Sequence, residues 1–384
     1  MLSRDELAAW LRLATTPGIG RGTARQLLAA FGSPERVLAA DGDALHALAG
    51  ADVVDVLKRR DPRDEASLAA TLRWLESASA GSPRDIVTLD DPRYPTLLLE
   101  TADPPLLLFT LGRVELLSTP GVAIVGSRNA TPQGLENART FAQFLSEHQL
   151  TIVSGLAQGI DGAAHEGGLA GSGSTVAFVG TGLDRVYPAP HKELMRRIAE
   201  EGLVASEYPL GANALPQNFP RRNRLIAGIA RGTLVVEAAL ESGSLITARL
   251  ALEEGRDVFA IPGSIHSPQS RGCHRLIQEG AKLVETGDDV LRELRFGFPS
   301  ETRRATLSPA QPSLFASAAV PEVEAGGPDA ALLAALGHDP VTFDALAART
   351  GLPSDQLAAR LLELELRGVV QRLPGGLLQR RAMA

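Results

Sequence analysis

The sequence predicts an α/β protein built on a doubly wound, mostly parallel sheet, with smaller helical segments before and after it. Three observations predict this. Between Gly121 and Thr286 short apolar runs recur: GVAIVG (121–126), TIVSG (151–155), TVAFVG (175–180), TLVVEA (233–238), DVFAIPG (257–263) and AKLVET (281–286). Helical stretches separate them, at Gln133–His148, Asp161–Ala170, His191–Glu201, Asn223–Ala230, Ser244–Glu254 and Cys273–Glu279. The runs are apolar throughout rather than alternating, which marks strands covered on both faces by helical crossovers.

The elements follow in order. Residues 1–62 read as short helices, and TTPGIGRGTARQLLAAFGS within them resembles the helix-hairpin-helix pattern of a SAM-like domain. There a Gly-x-Gly hairpin lets backbone amides approach a DNA phosphate without side-chain obstruction. Arg21 and Arg25 are the nearby positive charges; the alternative is a helical bundle used for protein contact. Residues 63–120 form a connector, in which DEASLAATLRWLESAS reads as a helix and the Pro-rich stretch from Ile86 as peripheral strands and turns. The core spans 121–296. Residues 297–327 mix Pro, Ser, Ala and Gly without periodicity and read as a flexible linker. Residues 328–384 have the winged-helix order, with Ser354 capping the third helix and Pro374-Gly375-Gly376 turning the wing. That third helix carries Asp355, Arg360, Glu363, Glu365 and Arg367, more acid than base, which favours protein contact over reading a DNA groove.

Composition narrows the function. The 384 residues carry a net charge of −7, so nucleic-acid binding must come from a local patch rather than bulk attraction. A single cysteine, Cys273, excludes a disulfide framework, and the seven scattered histidines form no metal-ligand spacing. No metal, cofactor or catalytic residue is expected. No apolar run is long enough to cross a bilayer, and charges interrupt the N-terminus, so a cytoplasmic protein without membrane contact is expected.

The chemistry concentrates in PQNFPRRNRLIAGIARGTLVVEAALESGSLITARLALEEG, residues 216–255. Arg221, Arg222 and Arg224 open one helix, and a Glu-Ser-Gly-Ser turn opens the next, with Ser242 or Ser244 as its cap. Such a turn supplies free N–H groups and a helix dipole for an anion, and the arginines supply planar, permanently charged forks. Other strand ends carry similar turns: Gly126-Ser127-Arg128, the loop SGLAQGIDG (154–162) and Gly180-Thr181-Gly182. In a parallel sheet all of these project to one edge, where ligands bind. None matches a Walker loop, and none is a G-x-G-x-x-G fingerprint with its distant acid. Asp161 and His165, four residues apart, have no nucleophile or third ligand at a suitable spacing. Asp161 reads better as a helix cap and His165 as a packed side chain.

From Gly121 to Thr286 the chain resembles the DNA-processing protein A family (DprA, also called Smf). AIVGSRNATPQG, SGLAQGIDGAAHEGG, GTGLDRVYPAPH, SEYPLG, PQNFPRRNRLIAG and VVEAALESGSLITARLALEEGRDVFAIPG carry the likeness, in order. The resemblance implies an extended Rossmann-like core that binds single-stranded DNA, forms a homodimer and helps load the RecA recombinase, in natural transformation or recombinational repair. It implies a DNA site at Gly126, Ser127, Arg128, Ser154, Gly155, Ala157, Gly159, Asp161, Gly180, Gly182, Phe219, Arg221, Arg222, Asn223, Glu237, Gly243 and Ser244. Within it Arg128 would hold a phosphate and Phe219 would stack on bases. It implies no cofactor and no catalytic group. Two other readings are a nucleotide-cleaving phosphoribohydrolase, from whose P-G-G-x-G-T loop EAALESGS departs, and a winged-helix regulator, which the acidic third helix disfavours.

Overall fold

The structure, a computed structural model, describes residues 2–59, 61–79, 81–265, 267–295, 329–336 and 340–380. The chain divides into two compact units, Met1–Phe298 and Pro299–Ala384. The linker expected at 297–327 lies outside the described residues.

The first unit begins with six helices: α1 (Arg4–Thr15), α2 (Arg21–Phe31), α3 (Pro34–Ala39), α4 (Gly42–Ala49), α5 (Ala51–Lys58) and α6 (Pro62–Glu76). Ser3 and Glu6 close a capping box at the start of α1. Trp10, Leu27, Leu45 and Leu68 turn inward and share one apolar cluster with Phe109 and Val204 of the sheet. The helical segment is therefore continuous with the core, not an appendage.

Nine strands follow: β1 (Arg84–Thr88), β2 (Leu107–Gly112), β3 (Gly121–Val125), β4 (Thr151–Ser154), β5 (Thr175–Phe178), β6 (Leu203–Ser206), β7 (Gly232–Val235), β8 (Asp257–Ala260) and β9 (Lys282–Leu283). They form one sheet in the order β1-β2-β6-β5-β4-β3-β7-β8-β9. The strands from β6 to β9 are parallel, while β1 and β2 add an antiparallel edge. This is the extended, mostly parallel sheet that the sequence predicts. Strand β6 is additional to the expected runs. Its four residues, LVAS, follow a helix directly after Gly202.

The covering helices are α7 (Thr96–Leu99), α8 (Pro132–Glu147), α9 (Ile160–Ala170), α10 (Lys192–Glu201), α11 (Asn218–Ile229), α12 (Ser244–Glu253), α13 (Arg271–Gln278) and α14 (Gly287–Glu293). Successive strand residues face opposite ways. Val122, Ile124, Ile152, Leu234 and Phe259 pack with Phe141 and Leu145 of α8. The intervening Ala123, Val125, Val153, Val235 and Ala260 meet Leu225 and Ile226 of α11 and Ala248 of α12. Helix α11 starts at Asn218, five residues before the expected Asn223, because Pro220 falls in its first turn, where no N–H partner is lost. The chain lays β4, β5 and β6 to one side of β3, then returns to place β7 on the other. The switch point therefore lies between β3 and β7.

Three expected caps are corrected. The N-cap of α9 is Gly159, and Asp161 sits inside the first turn with its carboxylate turned back to the preceding loop. The N-cap of α12 is Gly243, and Ser242 and Ser244 hydrogen-bond each other through their hydroxyls at 2.7 Å. In the second unit Ser354 is the first helical residue and Pro353 the cap.

That second unit contains α15 (Ala330–Leu336), β10 (Val341–Thr342), α16 (Phe343–Thr350), α17 (Ser354–Leu366), β11 (Val370–Arg372) and β12 (Leu377–Arg380). Its strands pair antiparallel as β10-β12-β11 around a core of Leu336, Leu346, Leu357, Leu361 and Leu378. Gly375 and Gly376, both with φ near +80°, turn the wing. On α17 Glu365 binds Arg372 at 2.6 Å, and Arg367 lies 3.3 Å from Asp329. Among the described residues no helix is long and apolar enough to cross a membrane.

Candidate nucleic-acid interface

The carboxyl ends of β3, β4, β5 and β7 open into a groove of about 660 Å³ beside the switch point. Its frame is backbone. The Ser127 amide donates to the Glu237 carbonyl at 2.7 Å, joining the β3 and β7 ends, and the Ile160 amide donates to the Ser127 carbonyl at 3.2 Å. Glu237 holds the next turn, accepting from the Thr131 amide at 2.9 Å and its hydroxyl at 2.6 Å. Gly159 joins these turns at φ +80°, and a Cβ there would stand 2.3 Å from the Ser127 carbonyl. Only glycine fits.

Most of the expected residues converge. Gly126, Ser127, Arg128, Ala157, Asp161, Phe219, Arg222, Asn223, Gly243 and Ser244 line the groove, and a smaller adjoining recess adds Gly155 and Gly180. Five do not line it. Ser154 is buried and donates to the Ile124 carbonyl at 2.6 Å. Gly159 and Glu237 are frame, as described above. Gly182 is a buried turn whose amide donates to the Ala212 carbonyl, and Arg221 is exposed outside the groove wall.

The three arginines of α11 therefore do not act as one cluster. Helical rotation of about 100° per residue sends them in three directions. Arg222, 3% exposed, passes beneath the β4 loop and donates to the Phe178 carbonyl at 2.8 Å. A Cβ on Gly155 would lie 1.6 Å from its Nη1, so that glycine makes room for the guanidinium. Arg224 turns toward Glu207 and Asp103.

Beside Arg222 the Asp161 carboxylate accepts from the amides of Gly155 at 3.2 Å and Ala157 at 3.4 Å. Burial pushes the Asp161 carboxyl up and the Arg222 guanidinium down to about 10, and their mutual attraction offsets part of both shifts. Arg222 remains charged at neutral pH. Arg128 differs: exposed at the groove mouth, it makes no hydrogen bond or ion pair among the described residues. The backbone amides of Arg128 and Gln158 likewise have no partner there. An unpaired guanidinium beside unpartnered amides is what an oxyanion requires.

A model of the DNA recombination-mediator protein A family matches residues 85–295, more than half of the chain. The chain belongs to this family. Models of a DprA-like N-terminal HHH domain and of a DprA winged helix domain match residues 4–65 and 316–376. Protein Smf of Escherichia coli is 41% identical over 82% of this chain and 81% of its own. The DNA processing protein DprA of Streptococcus pneumoniae is 54% identical over 54% of this chain and 73% of its own. The solved structure of DprA from Streptococcus pneumoniae superposes with a TM-score of 0.61, at 40% identity, covering 78% of this chain and 99% of that one. That of Helicobacter pylori DNA processing protein A, described for its single-stranded DNA binding mode, gives 0.51 at 31% identity, covering 55% and 96%.

In this family member the groove also contains residues outside the set of site residues expected from the sequence. Tyr187, Asn129 and Ser242 line it, and so does Glu241, an acid on the α12 side, while Gln158 lines the adjoining recess. Tyr187 had one signal, an aromatic within the motif GTGLDRVYPAPH, but a lone loop aromatic has no periodicity to expose it. The hairpin before α2 is engaged elsewhere. Arg21 reaches Asp103 at 2.5 Å and Glu207 at 3.2 Å, and Arg25 donates to the Ala102 carbonyl at 2.8 Å.

Proposed function

We propose that the chain binds single-stranded DNA in this groove without sequence preference and delivers the strand to the RecA recombinase, acting in the cytoplasm as a homodimer through its Rossmann-like core. Arg128 carries the proposal: it is a groove-lining cation with no hydrogen bond or ion pair among the described residues, next to unpartnered amides at the topological switch point. Backbone phosphates suit such a site, because they present the same anion at every nucleotide. The described binding mode of the Helicobacter pylori relative supports the choice of a single strand. In the winged-helix unit the exposed face of α17 carries Asp355 and Glu363, and the neighbouring Arg367 and Arg372 lie close to acids, which favours protein contact there.

The test is a fluorescence titration with single-stranded DNA, duplex and free nucleotides. Single strands of mixed sequences bind alike and more tightly than duplex. Their affinity falls with salt at a log–log slope of about −0.7 per neutralised phosphate. Equal affinity for duplex and single strands defeats the reading. Faster RecA filament assembly on strands carrying the protein tests delivery, and sedimentation tests the dimer.

A further inference from the structure

Three tyrosines occur in the chain. Tyr94 is buried and its hydroxyl donates to the Pro105 carbonyl at 2.8 Å. Tyr208 is half-buried and reaches the Asn218 carbonyl at 3.3 Å. Tyr187 differs from both. It is 46% exposed, lines the groove and its recess, and its hydroxyl has no partner among the described residues. Core packing does not account for a large ring held in that position.

The neighbouring aromatic, Phe219, is less available. The Arg128 guanidinium sits 5.6 Å from its ring centroid, and the Tyr187 ring lies 5.3 Å away at a 36° tilt. Its edge packs over Gly180, where a Cβ would stand 3.2 Å from Phe219 Cδ1. Phe219 thus braces one side of Tyr187 and carries the phosphate-seeking arginine, while the outer part of the Tyr187 ring faces solvent. The Arg128 guanidinium and the Tyr187 ring thus share one neighbour, Phe219, at 5.6 and 5.3 Å, which places a base attached to a phosphate at Arg128 beside that ring.

We infer that Tyr187, rather than Phe219, supplies the stacking surface for a nucleobase, with Phe219 as the support that both the ring and Arg128 pack against. The inference rests on the reading of the groove as a single-stranded DNA site. Stacking is indifferent to base identity, so a Tyr187 platform adds affinity without sequence preference. It also accounts for binding by a protein with few aromatic residues: one exposed ring at the groove serves where a ladder of them is absent.

The experiment uses the full chain and two fluorescein-labelled probes of equal length, oligo(dT) and a strand of abasic tetrahydrofuran units. Tyr187→Leu weakens oligo(dT) binding about 5- to 150-fold, the equivalent of about 1–3 kcal/mol per stacked base, and leaves the abasic strand unchanged. Tyr187→Phe binds both probes as the unmodified protein does. Wild-type affinity of Tyr187→Leu for oligo(dT), or an equal loss on both probes, overturns the inference. Arg128→Ala separates the two claims: if it loses both probes while Tyr187→Leu is silent, the DNA site stands and the stacking assignment falls. If Arg128→Ala is silent as well, the site itself falls. Should Tyr187→Leu fold poorly, Tyr187→Trp keeps the question decidable. Trp10 and Trp74 are buried, so the new indole is an exposed reporter. Quenching by oligo(dT) and none by the abasic strand supports stacking; equal quenching by both refutes it.

Discussion

Two arginine-bearing turns in the first unit read alike in the sequence and behave differently in the fold. The hairpin before α2 and the turn after β3 each combine glycine with arginine, and each suits a phosphate. In the first, Arg21 joins Asp103 and Glu207, and Arg224 closes on the same two carboxylates from α11. In the second, Arg128 faces the groove with no ion pair among the described residues. The contrast teaches that the number of cations near a turn does not mark a ligand site. What marks it is a cation that no carboxylate holds in a close ion pair, on a backbone frame already satisfied elsewhere.

The sharpest way to break the comparison is to remove one arginine from each side. Arg224→Ala takes a partner from Glu207, whose side chain is 7% exposed, and leaves a buried carboxylate less well paired. Breaking a buried pair costs about 3–5 kcal/mol. The lower figure applies, because Arg21 stays 3.2 Å from the same carboxylate. Stability measured by denaturant unfolding falls by about 3 kcal/mol, and single-stranded DNA affinity of the folded protein is kept. A folded Arg224→Ala protein with tenfold weaker DNA binding would place the ion-paired side within the site after all.

Arg128→Ala gives the reverse pattern. A charged hydrogen bond contributes about 1.5–3 kcal/mol, so affinity drops tenfold or more. The melting temperature is unchanged, since an exposed side chain at a strand end packs against little core. Paired melting and binding measurements on the one variant decide the matter. Normal binding by a well-folded Arg128→Ala protein removes the main support for the groove.

These variants also show what a sequence does and does not disclose. The parallel core was legible because β3, β4, β5, β7 and β8 are apolar on both faces, and recurring runs of that kind between helices fit little but a buried parallel sheet. Strand β6 was not, although LVAS is as long and as buried as β4, β5 and β7; its pairing with β2 and β5 is what shows it. The glycine-rich strand ends were legible as a site because topology sends them to one edge. The fates of Arg221, Arg222 and Arg224 were not. Adjacent letters in a helix point in different directions, and which direction meets Glu207 or Gly155 is decided by parts of the chain well outside α11. Tyr187 was hidden for a related reason: exposure is a property of the fold.

A smaller effect separates the groove frame from the ion-paired side by pH. The buried His165 ring accepts from the Leu156 amide at 3.1 Å and bonds the Thr175 hydroxyl at 2.7 Å, holding the β4 loop over Arg222. Burial pushes its pKa down to about 3, so the folded protein keeps it neutral. The unfolded chain takes up that proton near pH 6.5. The unfolded state therefore binds more protons between those values, and stability is lost as pH falls below about 6.5. At pH 5 the loss is about 2 kcal/mol. His165→Gln keeps a donor and an acceptor without titrating in this range. Unfolding curves from pH 7.5 to 5 should be flatter for His165→Gln; an unchanged slope would assign the pH sensitivity to other groups.

The smallest expected effect concerns the second unit. If a cation without a close ion pair is the mark of a phosphate site, the winged-helix unit should contribute little to DNA affinity. Its α17 exposes Asp355 and Glu363, Arg372 is bound to Glu365, and Arg367 lies beside Asp329. A groove-reading helix presents bases or amides to the DNA, and acids at those positions repel its phosphates. The first unit has its own sheet and apolar core, so it should fold without the second. A chain ending at Arg295 is expected to hold single-stranded DNA within about threefold of the full chain, since each lost phosphate contact would cost about tenfold by the charged hydrogen-bond figure used above. Gel shifts on the two proteins at matched salt make the comparison. A tenfold loss would mean that the second unit contacts the strand, and that an acidic face with paired arginines is a poorer guide to partner class than the groove suggests.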